Sequence, residues 1–192
     1  MKRIFWIVLD SAGIGEAPDA DKFSDVGSNT WKSCYDSRKL HIPNMEKIGI
    51  YQIDGMEYAK STENPTGSFA KMQELSCGKD TTTGHWEIAG IQLEHAFPTF
   101  PNGFPQDFIE KYEKAIGRGT IGNKAASGTT ILDELGEEHL KTGKLIVYTS
   151  ADSVFQIAAN EAIVPLNDLY RYCEIAREML KGELEVGRVI AR

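Results

Sequence analysis

The sequence predicts an α/β protein, and three observations carry that prediction. Six apolar residues follow one another without interruption, Ile4-Phe5-Trp6-Ile7-Val8-Leu9. Large and β-branched residues without alternation are what a strand covered on both faces of a parallel sheet requires. A second stretch of this kind, "KLIVYTS", ends at Ser150. Elsewhere apolar residues recur at helical spacing, as Phe108, Ile109, Tyr112 and Ile116 do.

Taken in chain order, the first strand ends at Asp10. Open α/β sheets bind ligands beyond the carboxyl ends of their strands, so Asp10 and the "SAGIGEAPDA" after it are placed for chemistry. Gly13 and Gly15 do not complete a dinucleotide fingerprint, because position 18 is Pro. Residues 11 to 29 read as a polar loop. Ser28-Asn29-Thr30 can cap a short helix through Cys34, and "IPNMEKIGI" begins another with Pro43 in its first turn. Residues 68 to 76 alternate as a strand does, with Phe69, Lys71, Gln73 and Leu75 on one side, and lead into "GKDTTTGHWE". Three prolines and a glycine in "EHAFPTFPNGFP" mark a composition shift typical of a domain boundary, which divides the chain into 1–95 and 96–192. Beyond it, Ile131, Leu132 and Leu135 predict a helix stopped by Gly143. Leu166, Leu169, Tyr170, Cys173, Ala176 and Leu180 mark a longer one behind Pro165. "EVGRVIAR" is the last strand, and a sequence that stops at Arg192 inside it reads as cut rather than finished.

Composition narrows the function. Acidic residues outnumber basic ones, 28 to 21, which disfavours sequence-independent binding to nucleic acid. The apolar run after Lys2 and Arg3 is too short for a secretory segment or a membrane span. Cys34, Cys77 and Cys173 are widely spaced, with no C-x-x-C, and read as reduced thiols of a cytoplasmic protein.

The chemistry concentrates in a few stretches. In "GKDTTTGHWE", residues 78 to 87, Asp and Thr oxygens can cap a helix, and a hydroxyl at the positive end of that helix can serve as a nucleophile. His85 and Glu87 have the H-x-E spacing of zinc deaminases, but the partner P-C-x-x-C is absent. His85 and Trp86 instead read as packing and hydrogen bonding behind the Thr81 turn, and His139 as solvated surface. "TSADS", residues 149 to 153, can hydrogen-bond sugar hydroxyls or a phosphate, or simply connect a strand to a turn. "IGNKAASGTT" offers Lys124 to a phosphate, or a helix start capped by Ser127 or Thr129.

In order along the chain, "KRIFWIVLDSAGIGEAPDA", "GKDTTTGHWEIAG", "FPNGFP", "IGNKAASGT", "DELG", "KLIVYTSADSVFQIAANE" and "VGRVIAR" resemble the bacterial phosphopentomutase family of the alkaline phosphatase superfamily. The resemblance covers essentially all 192 residues. It implies an alkaline-phosphatase-like core, of which 1–95 is the amino-terminal part, and a smaller α/β cap inserted from about residue 96 and incomplete at its carboxyl end. It also implies two manganese ions, with Asp10 as a metal ligand and Thr81 as the phosphorylated residue that touches both metals. Thr82 and Thr83 lack that role. Ser150 and Asp152 match cap positions that contact the sugar phosphate. The implied reaction interconverts ribose 1-phosphate, or its 2-deoxy form, with the 5-phosphate through a sugar bisphosphate, which also primes the enzyme.

Family members run to about twice this length, and their second half supplies the remaining Asp and His ligands. The chain thus matches the amino-terminal half, and alone is expected to bind metals poorly and to lack mutase activity. Two competing expectations are a sugar-phosphate-binding module without turnover and a metal-dependent phosphatase of the same superfamily, which the cap argues against.

Overall fold

The computed structural model describes residues 2–192. The chain divides into two compact units, Met1–Gln73 and Glu74–Arg192. The first holds two short helices, α1 (Thr30–Asp36) and α2 (Pro43–Ile48), with 3₁₀ turns at Ala20–Phe23 and Ile50–Gln52. The sequence-predicted signals place both helices. The Asn29 side chain accepts the Lys32 N–H at 2.9 Å, and Pro43 occupies the first turn of α2. Gly49 ends α2 at φ 117°, where a Cβ would lie 2.8 Å from the Phe69 ring and 2.9 Å from Pro65, so only glycine fits. Among the described residues of this unit, the buried hydrophobic side chains are Ala20, Ile50 and Met56.

Two expected strands are absent. Residues 4–9 form no strand, and Ile4 and Trp6 are 95% and 71% exposed. Residues 68–76 form none either. A strand exists by pairing its N–H and C=O groups with a neighbour. No backbone hydrogen bond among the described residues reaches 4–9 or 68–73, so these runs have the composition of strands without the partners.

The second unit is a mixed α/β fold, consistent with part of an alkaline-phosphatase-like architecture. Its elements are α3 (Thr81–Ile88), α4 (Gln106–Ile116), β1 (Thr120–Ala125), α5 (Gly128–Thr142), β2 (Leu145–Thr149), β3 (Val154–Ala158), α6 (Leu166–Met179) and β4 (Arg188–Ala191). The strands lie in chain order. β1 pairs with β2 and β3 with β4 in parallel, while β2 and β3 are antiparallel, so the sheet is mostly parallel. Parallel neighbours need a crossover, supplied by α5 and α6; the antiparallel pair needs only the connection 150–153.

The two-residue period of a strand sends alternate side chains to opposite faces. Leu145 and Val147 of β2 and Phe155 and Ile157 of β3 join one core cluster with α4 and α6. Phe155 is its centre, meeting the rings of Phe104, Phe108 and Tyr112 edge-on at 4.9 to 5.7 Å. Burial pushes the Tyr112 hydroxyl pKa well above the usual tyrosine range, and the group donates to the Tyr172 carbonyl at 3.2 Å. Ile146, Tyr148 and Ala158 face the other way and pack with Ile131 of α5. In α6 the buried residues are Leu169, Tyr172 and Ala176, while Leu166 and Tyr170, expected on the apolar face, are half exposed.

The "FPNGFP" stretch is explained by a bulge in β1. The register shifts between Gly122 and Lys124, and Asn123 adopts φ 47°. Its side chain accepts the Phe104 N–H at 2.8 Å and donates to the Phe104 carbonyl at 2.9 Å. The loop runs so close that a Cβ on Gly103 would lie 2.0 Å from the Asn123 carbonyl oxygen. His139, expected on the surface, is 2% exposed. Its Nδ1–H donates to the Lys144 carbonyl at 2.5 Å, and its Nε2 accepts the Asn160 N–H at 2.9 Å, so it ties the end of α5 to the turn after β3. The polar neighbours in "LGEEHLKTG" concealed that both imidazole nitrogens are used internally.

Phe155→Ala should cost about 3 to 5 kcal/mol, whereas Leu132→Ala, at a half-exposed position, should cost less than about 1 kcal/mol. Urea unfolding midpoints at unchanged slope measure both.

Candidate functional site

The threonine triplet opens α3, and Asp80 is its N-cap. One carboxylate oxygen of Asp80 accepts the Thr82 and Thr83 N–H groups at 2.8 and 3.0 Å, and the other accepts the Thr83 hydroxyl at 2.6 Å. The three hydroxyls therefore differ in kind. That of Thr83 is buried and engaged. That of Thr82 is buried and has no partner. Thr81 is half-buried, and its hydroxyl makes no hydrogen bond with the described residues. Its carbonyl accepts the His85 Nδ1–H at 2.6 Å, which fastens the turn from behind. Trp86 packs edge-on to Phe97 at 5.4 Å. The capping and the nucleophile readings are thus compatible, because Asp80 does the capping and leaves Thr81 open.

Glu87 holds the approach to this helix. Its two oxygens accept the Leu75 and Ser76 N–H groups at 2.8 and 2.7 Å. Hydrogen bonding from Ser76, then from the Leu75 N–H, holds its carboxyl below the usual carboxylate range.

Ser150 and Asp152 line an open cavity of about 510 Å³ on the sheet face that α5 covers only in part. Its floor follows from strand periodicity. Val154 and Gln156 point to this face, and the parallel register sets Arg188 beside Val154 and Ile190 beside Gln156. Arg192 continues the row. The first turn of α5 forms one wall, where the Ser127 hydroxyl caps the helix by accepting the Thr130 N–H at 3.2 Å. The Arg188 guanidinium reaches the Asp152 carboxylate at 3.4 Å, and its Nε is buried without a partner. Arg192 Nε donates to Gln156 Oε1 at 3.3 Å. Arg188, Ile190, Arg192 and Gln156 were not singled out as site residues from sequence. The alternation in "GRVIAR" is the signal that places both arginines on one face.

These two places adjoin within the second unit. A Cβ on Gly187 would lie 3.2 Å from Thr82 Cβ and Cγ2 and 3.3 Å from Phe97 Cδ2, so the chain before β4 passes directly against the first turn of α3. Ser153 secures that passage: its hydroxyl donates to the Pro98 carbonyl at 2.5 Å and accepts the Gly187 N–H at 3.3 Å, while its carbonyl accepts the Arg188 N–H at 3.2 Å. Thr81 is therefore one residue from a side chain packed against the segment that carries Arg188.

Asp10 lies in the first unit, exposed in a turn, whereas Thr81 lies in the second. Among the described residues no group of three or more His, Cys, Asp or Glu side chains is gathered that could hold a metal ion. A dinuclear manganese centre needs about six donors per ion, so Asp10 and Thr81 alone do not fit one. The cysteines are free, and burial, with Glu174 nearby, pushes the Cys173 thiol up to about 11. Among the described residues no helix is long and apolar enough to cross a membrane.

No protein-family model matches the chain. Over its whole length the chain is 60% identical to a phosphopentomutase of Clostridium novyi, 58% to one of Caldanaerobacter subterraneus and 56% to one of Lachnoclostridium phytofermentans. These alignments take in 50%, 49% and 50% of the respective relatives. Every part of the chain thus has phosphopentomutase homologues, and it spans about half the length of the curated relatives it matches.

The lowered Glu87 carboxyl gives a pH signature. Its ionised form accepts both amides above the unfolded carboxylate value of about 4.3, and the contribution is lost as pH falls through the lower folded value. The Leu75 and Ser76 amides should lose hydrogen-exchange protection only below the ordinary carboxylate range. In Glu87→Ala they should be unprotected at neutral pH as well.

Proposed function

We propose that this chain, a homologue of the phosphopentomutases along its whole length, is the amino-terminal half of an isomerase that interconverts ribose 1-phosphate or 2-deoxyribose 1-phosphate with the 5-phosphate. The observation that carries the reading is the 54–60% identity, across all of the chain, to proteins of that name. The division of labour is between residues 1–95 as part of the catalytic core and 96–192 as a cap, in a cytoplasmic enzyme.

Thr81 is the phosphate carrier. The free hydroxyl of a pentose monophosphate attacks the phosphorus on Thr81 Oγ, the Oγ–P bond breaks, and the attacking proton ends on the threonine. The bisphosphate so formed turns around and returns its other phosphate to Oγ. Such a cycle needs a hydroxyl open to substrate at the N-terminus of a helix, where backbone dipoles favour negative charge. Thr81 is the one threonine of three that satisfies this. Ser150 and Asp152, with Arg188 beside them, hold the sugar phosphate. A guanidinium presents paired donors to phosphate oxygens, and the Asp152 carboxylate both aims it and accepts from sugar hydroxyls. A cavity of about 510 Å³ is in the size range of small-molecule sites.

Two manganese ions belong to this reading, with Asp10 and Thr81 as this chain's contribution to holding them. When bound they would offset the charge on the transferring phosphoryl group. The other donors come from outside these residues, so the chain alone has no mutase activity. A binding module without turnover is the second reading, favoured by a cavity lined entirely by residues 126 to 192.

The test uses a chimaera of residues 1–192 joined to the remaining half of the Clostridium novyi relative. Thr81→Ala should abolish turnover and the phosphoryl adduct seen by intact mass after incubation with a pentose bisphosphate. Thr82→Val should retain both, because it removes a hydroxyl that has no partner. An adduct that persists in Thr81→Ala would move the nucleophile elsewhere. Arg188→Ala should raise KM for ribose 5-phosphate about 10- to 100-fold, the usual effect of losing a charged hydrogen bond.

A further inference from the structure

The first unit holds a cavity that the mutase reading leaves unused. It measures about 800 Å³ and lies among Tyr35, Asp36, Arg38, Glu46, Tyr51 and Lys60, a volume in the range of small-molecule sites. None of these residues lines the cavity of Ser150 and Asp152. Three kinds of chemistry meet on its walls. The first is aromatic. Tyr35, in the last turn of α1, stands edge-on to Tyr51 at 6.1 Å and tilts against Tyr58 at 5.2 Å. The Lys32 ammonium braces this cluster from 5.7 Å above the Tyr58 ring. The second is cationic. Arg38 and Lys60 are exposed, and neither side chain pairs with a carboxylate among the described residues. Arg38 takes φ 57° immediately after the C-cap of α1, where glycine is the usual residue, so a guanidinium stands there despite a backbone cost.

The third is hydrogen bonding. Burial, with the Glu46 carboxylate and Tyr35 nearby, raises the Tyr51 hydroxyl above the ordinary tyrosine range, so it stays a donor beside an acceptor. Asp36 is already matched by Lys32 at 2.5 Å, which leaves Glu46 as the free acceptor against two free cations. The Thr62 hydroxyl donates to the Glu46 carbonyl at 2.9 Å and holds the segment after Lys60 against α2. We propose that this cavity binds a nucleoside monophosphate, with its base against Tyr35 and Tyr51, its phosphate on Arg38 and Lys60, and an amino or ribose hydroxyl group on Glu46. Aromatic faces accept any base by stacking, and a guanidinium presents paired donors to phosphate oxygens. A sugar phosphate would use the cations and leave the rings idle; a nucleoside would do the reverse. The inference goes beyond the mutase reading and stands on the first unit alone.

Calorimetric titration of residues 1–192 with adenosine monophosphate tests this. Arg38→Gly suits the left-handed backbone and Lys60→Gln changes an exposed side chain, so both variants should keep the fold. Each should weaken binding at least about tenfold, the scale of a lost charged hydrogen bond. Tyr51→Leu should weaken it as well. Arg188→Ala should leave it unchanged, and in that background adenosine and ribose 5-phosphate should each bind at least about tenfold more weakly than adenosine monophosphate. The proposal is overturned if adenosine monophosphate does not bind at millimolar concentration, or if Arg188→Ala rather than Arg38→Gly removes the binding. It is overturned equally if ribose 5-phosphate or adenosine binds as tightly as the nucleotide. Turnover of the chimaera is a separate measurement: a chimaera without mutase activity removes the catalytic reading and leaves the nucleotide site standing.

Discussion

The close approach of Gly187 to the first turn of α3 is the constraint on which the candidate site depends. Any side chain at 187 would press on Thr82 and Phe97. Ser153 holds the approach from the other side by joining Pro98, Gly187 and Arg188 in one small network. Because Gly187 precedes Arg188, the contact that seats α3 also sets where β4 begins. The parallel register with β3 then decides which residues of β4 look into the cavity. Threonine turn and arginine row are thereby positioned by the same few atoms.

The sheet shows how an open cavity arises on one face of a sheet whose other face is sealed. One face is sealed by α4 and α6 around Phe155. The other carries a single helix, α5, whose buried contacts reach Ile146, Tyr148 and Ala158. The strip it leaves uncovered is lined by Arg188, Ile190 and Arg192. Polar side chains along that strip pair in part with one another, Arg188 with Asp152 and Arg192 with Gln156. The exposed Arg188–Asp152 pair adds little stability, and its value lies in orienting the guanidinium.

Much of the second unit was legible in the sequence, and the reasons are local. Pro105 and Pro165, with Gly117 and Gly143, bracket helices whose apolar spacing is regular, and the apolar run "LIVYT" finds strand partners on both sides in β1 and β3. Asp80 and Ser127 were readable as caps for the same reason. β1 and β3 were harder, since Gly122 and Asn123 break one pattern and Gln156 interrupts the other. Legibility failed for residues 4–9 and 68–76, where composition reports what surrounds a strand rather than whether the surroundings are at hand. His139 failed in the opposite sense, because its partners, a carbonyl and an amide, leave no trace in residue type.

Three adjacent threonines share one residue type, yet the fold gives their hydroxyls three different surroundings. Asp80 draws the Thr83 oxygen inward, while the Thr82 oxygen is buried without a partner and the Thr82 methyl packs toward Gly187. Of the three, Thr81 alone is not buried, so the repeat "TTT" turns a single side chain outward.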